Sequence, residues 1–184
     1  MRKLIVTEWM SLDGIFDAAS MGQWFNPYHS EGRAKSIQDT IHNCDVMLYG
    51  RKTYEMLFPY WSQFKNNEMR VAEKLNSVKK YVVSTTLHEA GWENTTIVGN
   101  DIVHEIGDLK KQDGGNILVQ GSAMLVKTLL EAGLVDEFKF IVQPYIMGTQ
   151  SGQFFNGLTG GLELISTQTL DSGVLVLRYR PKPR

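Results

Sequence analysis

One segment constrains this chain more than any other: Val46-Met47-Leu48-Tyr49-Gly50-Arg51-Lys52-Thr53-Tyr54-Glu55. An apolar strand runs straight into Gly-Arg-x-Thr, and a short helical stretch follows. Glycine lets the backbone approach a ligand closely. The first free N–H groups of a helix, at the positive end of its dipole, attract an anion. Arginine adds a planar fork that matches phosphate oxygens two at a time. The layout suits capture of a nucleotide phosphate. A Gly-Arg pair by itself also fits an ordinary strand–helix turn with a solvated arginine, so the rest of the chain has to decide.

The segment Ile117-Leu118-Val119-Gln120-Gly121-Ser122-Ala123-Met124-Leu125 repeats the logic: a buried strand, a glycine, a helix start. Two such turns at the C-terminal ends of neighbouring parallel strands would face one crevice, where open α/β sheets bind ligands. A third strand, Val82-Val83-Ser84-Thr85-Thr86, ends in hydroxyls that can donate to a phosphate, frame an adenine or simply satisfy the strand end. Neither G-x-G-x-x-G nor G-x-x-x-x-G-K-[ST] occurs, so a nucleotide would be held by another arrangement of strand ends.

The element pattern agrees with such a sheet. Strands are expected at Leu4–Met10, Asp45–Tyr49, Lys80–Ser84, Thr95–Val98, Ile117–Val119 and Phe138–Val142. Helices are expected from Ser30 to Asn43 with Ser30 as N-cap, after Gly50 until Pro59 closes or bends the chain, from Glu68 to Val78, from an Asn100 cap to Asp108, and from Gly121-Ser122 to Gly133. Glu163–Leu170 and Val174–Arg180 flank Asp171-Ser172-Gly173, a hairpin-type turn. Early strands separated by helices imply parallel pairing, and the closing hairpin implies an antiparallel edge. The expected fold is α/β: a mixed sheet of about eight strands with helices on both faces, in one domain over residues 1–184.

Composition excludes several classes. A formal net charge of −1 gives no reason to expect a nucleic-acid surface. The single Cys44 rules out an internal disulfide and a cysteine-based zinc site, and is compatible with a reducing compartment. His29, His42, His88 and His104 show no metal spacing, so no metal is expected. No apolar run approaches the roughly 20 residues that span a bilayer, and no signal peptide is visible, which makes the cytoplasm the expected location.

The chain resembles the dihydrofolate-reductase-like superfamily, specifically the reductase domain at the C-terminus of bacterial riboflavin-biosynthesis deaminase–reductases and its small stand-alone relatives. The matching residues are Ser11-Leu12-Asp13-Gly14, Tyr49 to Glu55, Val83-Ser84-Thr85, and Gln120-Gly121-Ser122 leading into Leu129-Leu130-Glu131-Ala132-Gly133-Leu134-Val135-Asp136-Glu137. The resemblance implies an NADPH-dependent reductase of a small heterocyclic or ribosylamino-pyrimidine substrate, of the 5-amino-6-(5-phosphoribosylamino)uracil reductase type. It implies that Gly50, Arg51, Lys52 and Thr53 meet the cofactor's phosphates, with Arg51 at the 2′-phosphate. Ser84 and Thr85 would sit near the adenosine, and Gly121, Ser122, Ala123 and Met124 under the pyrophosphate and nicotinamide side. Asp136 and Glu137 would fix local backbone. Many members carry Gly-Gly where this chain has Gly121-Ser122, and the H-x-E…P-C-x-x-C deaminase half is missing.

Substrate contacts are less defined. In dihydrofolate reductase an acid on the first helix faces the pocket, and Glu31 is the only acid in the corresponding region, Glu31 to Lys35. Asp13 can bind a sugar hydroxyl or its own loop. Trp24, Phe25 and Tyr28 can stack on a heterocycle or seal the core. Two other readings stand beside the first: a dihydropterin-type reductase, and a nucleotide-binding dimer that kept the scaffold without the chemistry. A homodimer is expected, because the C-terminal strands offer an apolar edge, with a monomer whose loops cover that edge as the other reading.

Overall fold

Buried parallel strands need apolar side chains on both faces, and the strands of this chain supply them. A computed structural model describes residues 1–183. In chain order the elements are β1 (Leu4–Ser11), α1 (Met21–Trp24), α2 (Glu31–His42), β2 (Cys44–Gly50), α3 (Arg51–Trp61), α4 (Ala72–Ser77), β3 (Lys79–Val83), β4 (Thr95–Val98), α5 (Ile102–Lys111), β5 (Asn116–Val119), α6 (Ala123–Glu131), β6 (Glu137–Gln143), β7 (Leu162–Thr169) and β8 (Leu175–Pro181). They form one eight-stranded sheet in the order β4-β3-β2-β5-β1-β6-β8-β7. Strands β1 to β6 run parallel, while β8 pairs antiparallel with both β6 and β7.

The helices divide between the two faces. Leu4, Val6, Val46, Leu48 and Val119 pack against Ile106 and Leu109 of α5 and Leu125, Val126 and Leu129 of α6. Met47, Tyr49 and Leu118 face the other way, toward Ile41 of α2, Tyr54 of α3 and Leu75 of α4. Because the β1–β6 strands are parallel, their C-terminal ends share one rim of the sheet.

Local differences from expectation have physical causes. Helix α3 continues through Pro59 to Trp61. Helix α5 is capped by Asp101, whose carboxylate accepts from the His104 N–H, rather than by Asn100, and it extends to Lys111. The stretch from Glu68 to Val78 is not one helix, since Met69 and Arg70 adopt left-handed conformations (φ 53° and 58°) ahead of α4. At the sheet edge β7 is mostly exposed, and it presents Leu164 and Ile165 to solvent.

Candidate active site

The C-terminal rim is built from strand ends that turn directly into helices. Gly50 ends β2 and caps α3 without a side chain, so no side-chain acceptor competes for the first N–H groups of that helix. Ser122 caps α6, its hydroxyl accepting from the Leu125 N–H at 3.4 Å. The ladder pairs Leu48 with Val119, so the β2 and β5 turns lie side by side.

They are in contact. The Gly50 N–H donates to the Gly121 carbonyl at 3.0 Å. A Cβ at Gly50 would come within 2.6 Å of the Ser122 hydroxyl, and one at Gly121 within 2.5 Å of the Thr53 hydroxyl. Only glycine fits at either position, and Gly121 also takes the left-handed conformation, φ 52°. The Gly121–Ser122 peptide bond is cis. The two glycine turns thus form a backbone cradle between two helix N-termini, a geometry that suits an anionic chain such as a dinucleotide pyrophosphate.

Around the cradle, Arg51 extends to solvent and pairs with Glu55 at 3.0 Å on the same helix. Such an exposed i,i+4 pair is worth only about 0.3–0.5 kcal/mol, so a phosphate can take the guanidinium from it. Lys52 and Thr85 are exposed, and Met124 is 79% exposed beside the partly buried Ala123. The Ser84 hydroxyl accepts from the N–H groups of Thr86 and Leu87 at 3.1 and 2.8 Å, so it orders the turn after β3.

A buried acid lies under the cradle. Glu8 sits in the middle of β1 with its carboxylate accepting from the Gly121 N–H. Burial pushes its carboxyl up to about 8, against a smaller downward pull from that hydrogen bond. Sequence reading passed over Glu8. Its signal was an acid interrupting an otherwise apolar strand whose neighbours are buried on both faces.

The substrate candidates separate. Trp24 offers no stacking face: its ring is 1% exposed, and its indole N–H donates to the Asp17 carbonyl at 3.0 Å. The carboxylate of Asp13 is committed to loops. It accepts from the Ser11 hydroxyl at 2.6 Å and from the N–H groups of Met147 and Gly148 at 3.1 and 2.8 Å. Desolvation opposes its ionisation, yet these bonds together hold it below the usual carboxylate range. Glu31 is exposed at the first position of α2, and the same turn sends Arg33 inward instead. Arg33 donates to the Phe25 carbonyl and lies 3.8 Å over the Phe25 ring, which in turn stacks on Trp9 at 4.8 Å. Across a narrow gap beside this stack, Thr7, Trp9, Gln120 and Ile141 face Ile37 and Thr40 of α2. Asp136 and Glu137 fix backbone and strands at the far rim. The Asp136 carboxylate accepts from the Leu4 N–H at 2.7 Å and from Lys110 at 2.6 Å, and Glu137 pairs with Arg178 at 2.6 Å.

A cleft of about 640 Å³ lies away from the cradle, among Phe64, Asn76, Trp92 and Asn94 near the N-terminal ends of β3 and β4. It has no glycine-cleared helix start, so the C-terminal rim carries the chemistry that suits an anion. Among the described residues, no three His, Cys, Asp or Glu side chains gather to hold a metal ion. No helix among them is long and apolar enough to cross a membrane.

Comparison with known proteins agrees with this architecture. YyaP of Bacillus subtilis is 34% identical over 149 residues, covering 77% of this chain and 76% of that protein. The crystal structure of a riboflavin biosynthesis protein from Shewanella sp. PV-4 superposes with a TM-score of 0.70 at 19% identity, covering 98% of this chain and 99% of the other. Dihydrofolate reductase from Enterococcus faecalis, solved with NADP(H) bound, superposes with a TM-score of 0.65 at 14% identity, covering 98% and 97% of the two chains. The fold is thus dihydrofolate-reductase-like. The RibD C-terminal domain model matches residues 2–176, and the chain belongs to that family.

Proposed function

We propose that this chain is an NADPH-dependent reductase of a small heterocyclic or ribosylamino-pyrimidine substrate. The observation that carries the reading is the contact between the Gly50 and Gly121 turns, which brings the starts of α3 and α6 side by side with the Thr53 and Ser122 hydroxyls packed against the glycines. Membership of a reductase-domain family and a shared fold with an NADP(H)-bound enzyme support it.

In this reading Gly50, Lys52 and Thr53 hold phosphate oxygens, and Arg51 leaves Glu55 to clamp the 2′-phosphate. Ser84 and Thr85 border the adenosine, and Gly121, Ser122, Ala123 and Met124 border the pyrophosphate and nicotinamide side. NADPH, when bound, supplies a hydride. The substrate then occupies the α2 side of the sheet, where Thr7, Trp9 and Gln120 meet α2. The dihydropterin-type alternative loses its main support, because the inward side chain of the α2 start is a cation, Arg33, and not an acid.

One observation favours the reading without chemistry: the Trp9–Phe25–Arg33 stack already occupies the space beside α2. Turnover requires the Phe25 segment to move aside. NADPH binding without consumption in the presence of reducible pyrimidines would decide for a binding module.

The cofactor claim is tested by titrating wild type and Arg51→Ala with NADPH and NADH. Losing a charge-assisted phosphate contact should weaken NADPH by about 1.5–3 kcal/mol and leave NADH nearly unchanged. Equal losses for both nucleotides, or binding of neither, would remove the claim.

We also infer a homodimer in the cytoplasm. The β7 edge has one unpaired side and exposes Leu164 and Ile165, which suits burial against a second copy. Sedimentation that returns only monomer would reject the dimer.

A further inference from the structure

We propose that Glu8 is the positioning residue of the cradle: its carboxyl holds the Gly121 peptide, and through Gly121 the Gly50 turn, in the orientation that receives an anionic cofactor. This deepens the reductase reading and rests on it for the identity of the ligand, but not for the clamp itself.

The β1–β5 ladder ends where Val6 meets Val119, two residues before Glu8 on β1 and two before Gly121 on the other chain segment. Beyond that point Gly121 leaves the sheet, and its N–H finds an acceptor in the Glu8 side chain. The Gly121 carbonyl accepts from the Gly50 N–H. One chain of hydrogen bonds therefore runs from the centre of β1 through the β5 turn to the β2 turn. Strand β1 is buried and held between β5 and β6, so it is a rigid base for the clamp.

A backbone carbonyl or a glutamine would satisfy the same N–H without placing an ionisable group in the interior. Among the described residues, the elements around Glu8 bring no compensating charge. Val6 and Met10 flank it on β1, Phe140 stands opposite it on β6, and α6 turns Leu125, Val126 and Leu129 to this face. The titratable groups of those elements are engaged elsewhere. Lys139 bonds to Ser36 and Thr40 of α2, on the other side of the sheet. Glu137 pairs with Arg178, and Lys110 of α5 pairs with Asp136. Asp108 pairs with Lys111, while His104, Glu105 and Glu131 are exposed. Lys127 of α6 reaches toward Gly157.

The burial that raises Glu8 to about 8 means that it is mostly neutral under an anionic ligand at neutral pH. Its ionisation would put a negative charge directly beneath the N–H groups that attract phosphate. Cofactor affinity should therefore fall as pH rises through the transition, and by linkage, nucleotide binding should draw a proton onto Glu8.

The test uses the full chain, wild type and Glu8→Gln, in two measurements. First, the backbone amide of Gly121 is followed by NMR without nucleotide, from about pH 6 to about pH 10. The wild type should show a transition near pH 8, and Glu8→Gln, which keeps the acceptor and loses the proton, should show none. Second, NADPH affinity is measured over the same range. Wild-type affinity should fall about tenfold through the transition, while Glu8→Gln should hold the low-pH affinity throughout. A Gly121 amide that does not titrate in the wild type, or that titrates equally in Glu8→Gln, overturns the proposal. A Gly121 transition that depends on Glu8 in a protein that binds no NADPH supports the clamp and rejects the cofactor reading alone.

Discussion

Lys80 and Glu8 are both buried in strands of the same sheet, Lys80 near the N-terminal rim and Glu8 midway along β1 beneath the C-terminal turns, and their surroundings differ. Lys80 lies near the start of β3 and donates to three carbonyls, those of Asn76, Val78 and Glu93, at 2.8–3.0 Å. Its ammonium also lies 4.8 Å over the Trp92 ring. Farther along that rim Lys110 meets Asp136, and Arg178 meets Glu137, each at 2.6 Å. Glu8, toward the C-terminal rim, has one N–H and no cation partner among the described residues. Arg33, near the same rim, has one carbonyl and an aromatic face, and no carboxylate partner among the described residues. The N-terminal rim thus surrounds its buried charges with several protein partners each, although burial still lowers the Lys80 ammonium to about 8. The C-terminal rim leaves them incomplete, which is the habit of sites that bind and react.

The comparison can be broken from either side. The largest effect is expected at the completed rim. Lys80→Met strands the buried Val78 carbonyl and removes the part-buried bonds to Asn76 and Glu93, so stability at neutral pH should fall by about 1–3 kcal/mol in urea denaturation. Nucleotide affinity of the folded fraction should stay at the wild-type level. A loss below about 1 kcal/mol would mean that Lys80 is not the structural charge its partners suggest.

At the incomplete rim the sign should reverse. The Glu8 carboxyl is raised from 4.5 to about 8 on folding, so between those values the folded state holds a proton that the unfolded chain releases. Its contribution to stability is therefore full below 4.5 and declines as pH rises to about 8, by about 1.4 kcal/mol per pH unit. Glu8→Gln should remove that slope and be more stable than wild type at neutral pH, as read from urea midpoints across the window. Parallel pH profiles for the two proteins would show that Glu8 is an ordinary structural acid.

The fold was legible because most of its strands are largely apolar runs that end at or next to glycine or hydroxyl residues, and because helix periods separate most of the early strands. The cradle was legible for the same reason: Gly50 and Gly121 each stand where a strand becomes a helix. Their direct contact was not, since sequence does not show that β5 returns to the slot between β1 and β2. Glu8 was missed because a lone acid in a strand reads as a solvent-facing position until both neighbouring strands are known. The choice of Arg33 over Glu31 depends on where the preceding loop puts Phe25, which no periodicity within α2 reveals. Trp24 and Asp13 carried two readings each, and in both the hydrogen bonds run to the protein's own loops. The break at Met69 and Arg70 gave no warning, since neither residue is a glycine or follows a proline.

The central claim is that the two turns at the C-terminal rim form the docking cradle for NADPH. Amide chemical-shift mapping during an NADPH titration tests it most directly. The largest shifts should fall on Gly50, Arg51, Gly121 and Ser122, with the cleft around Asn76, Trp92 and Asn94 unmoved. Shifts centred on that cleft, or none at any amide, would contradict the account.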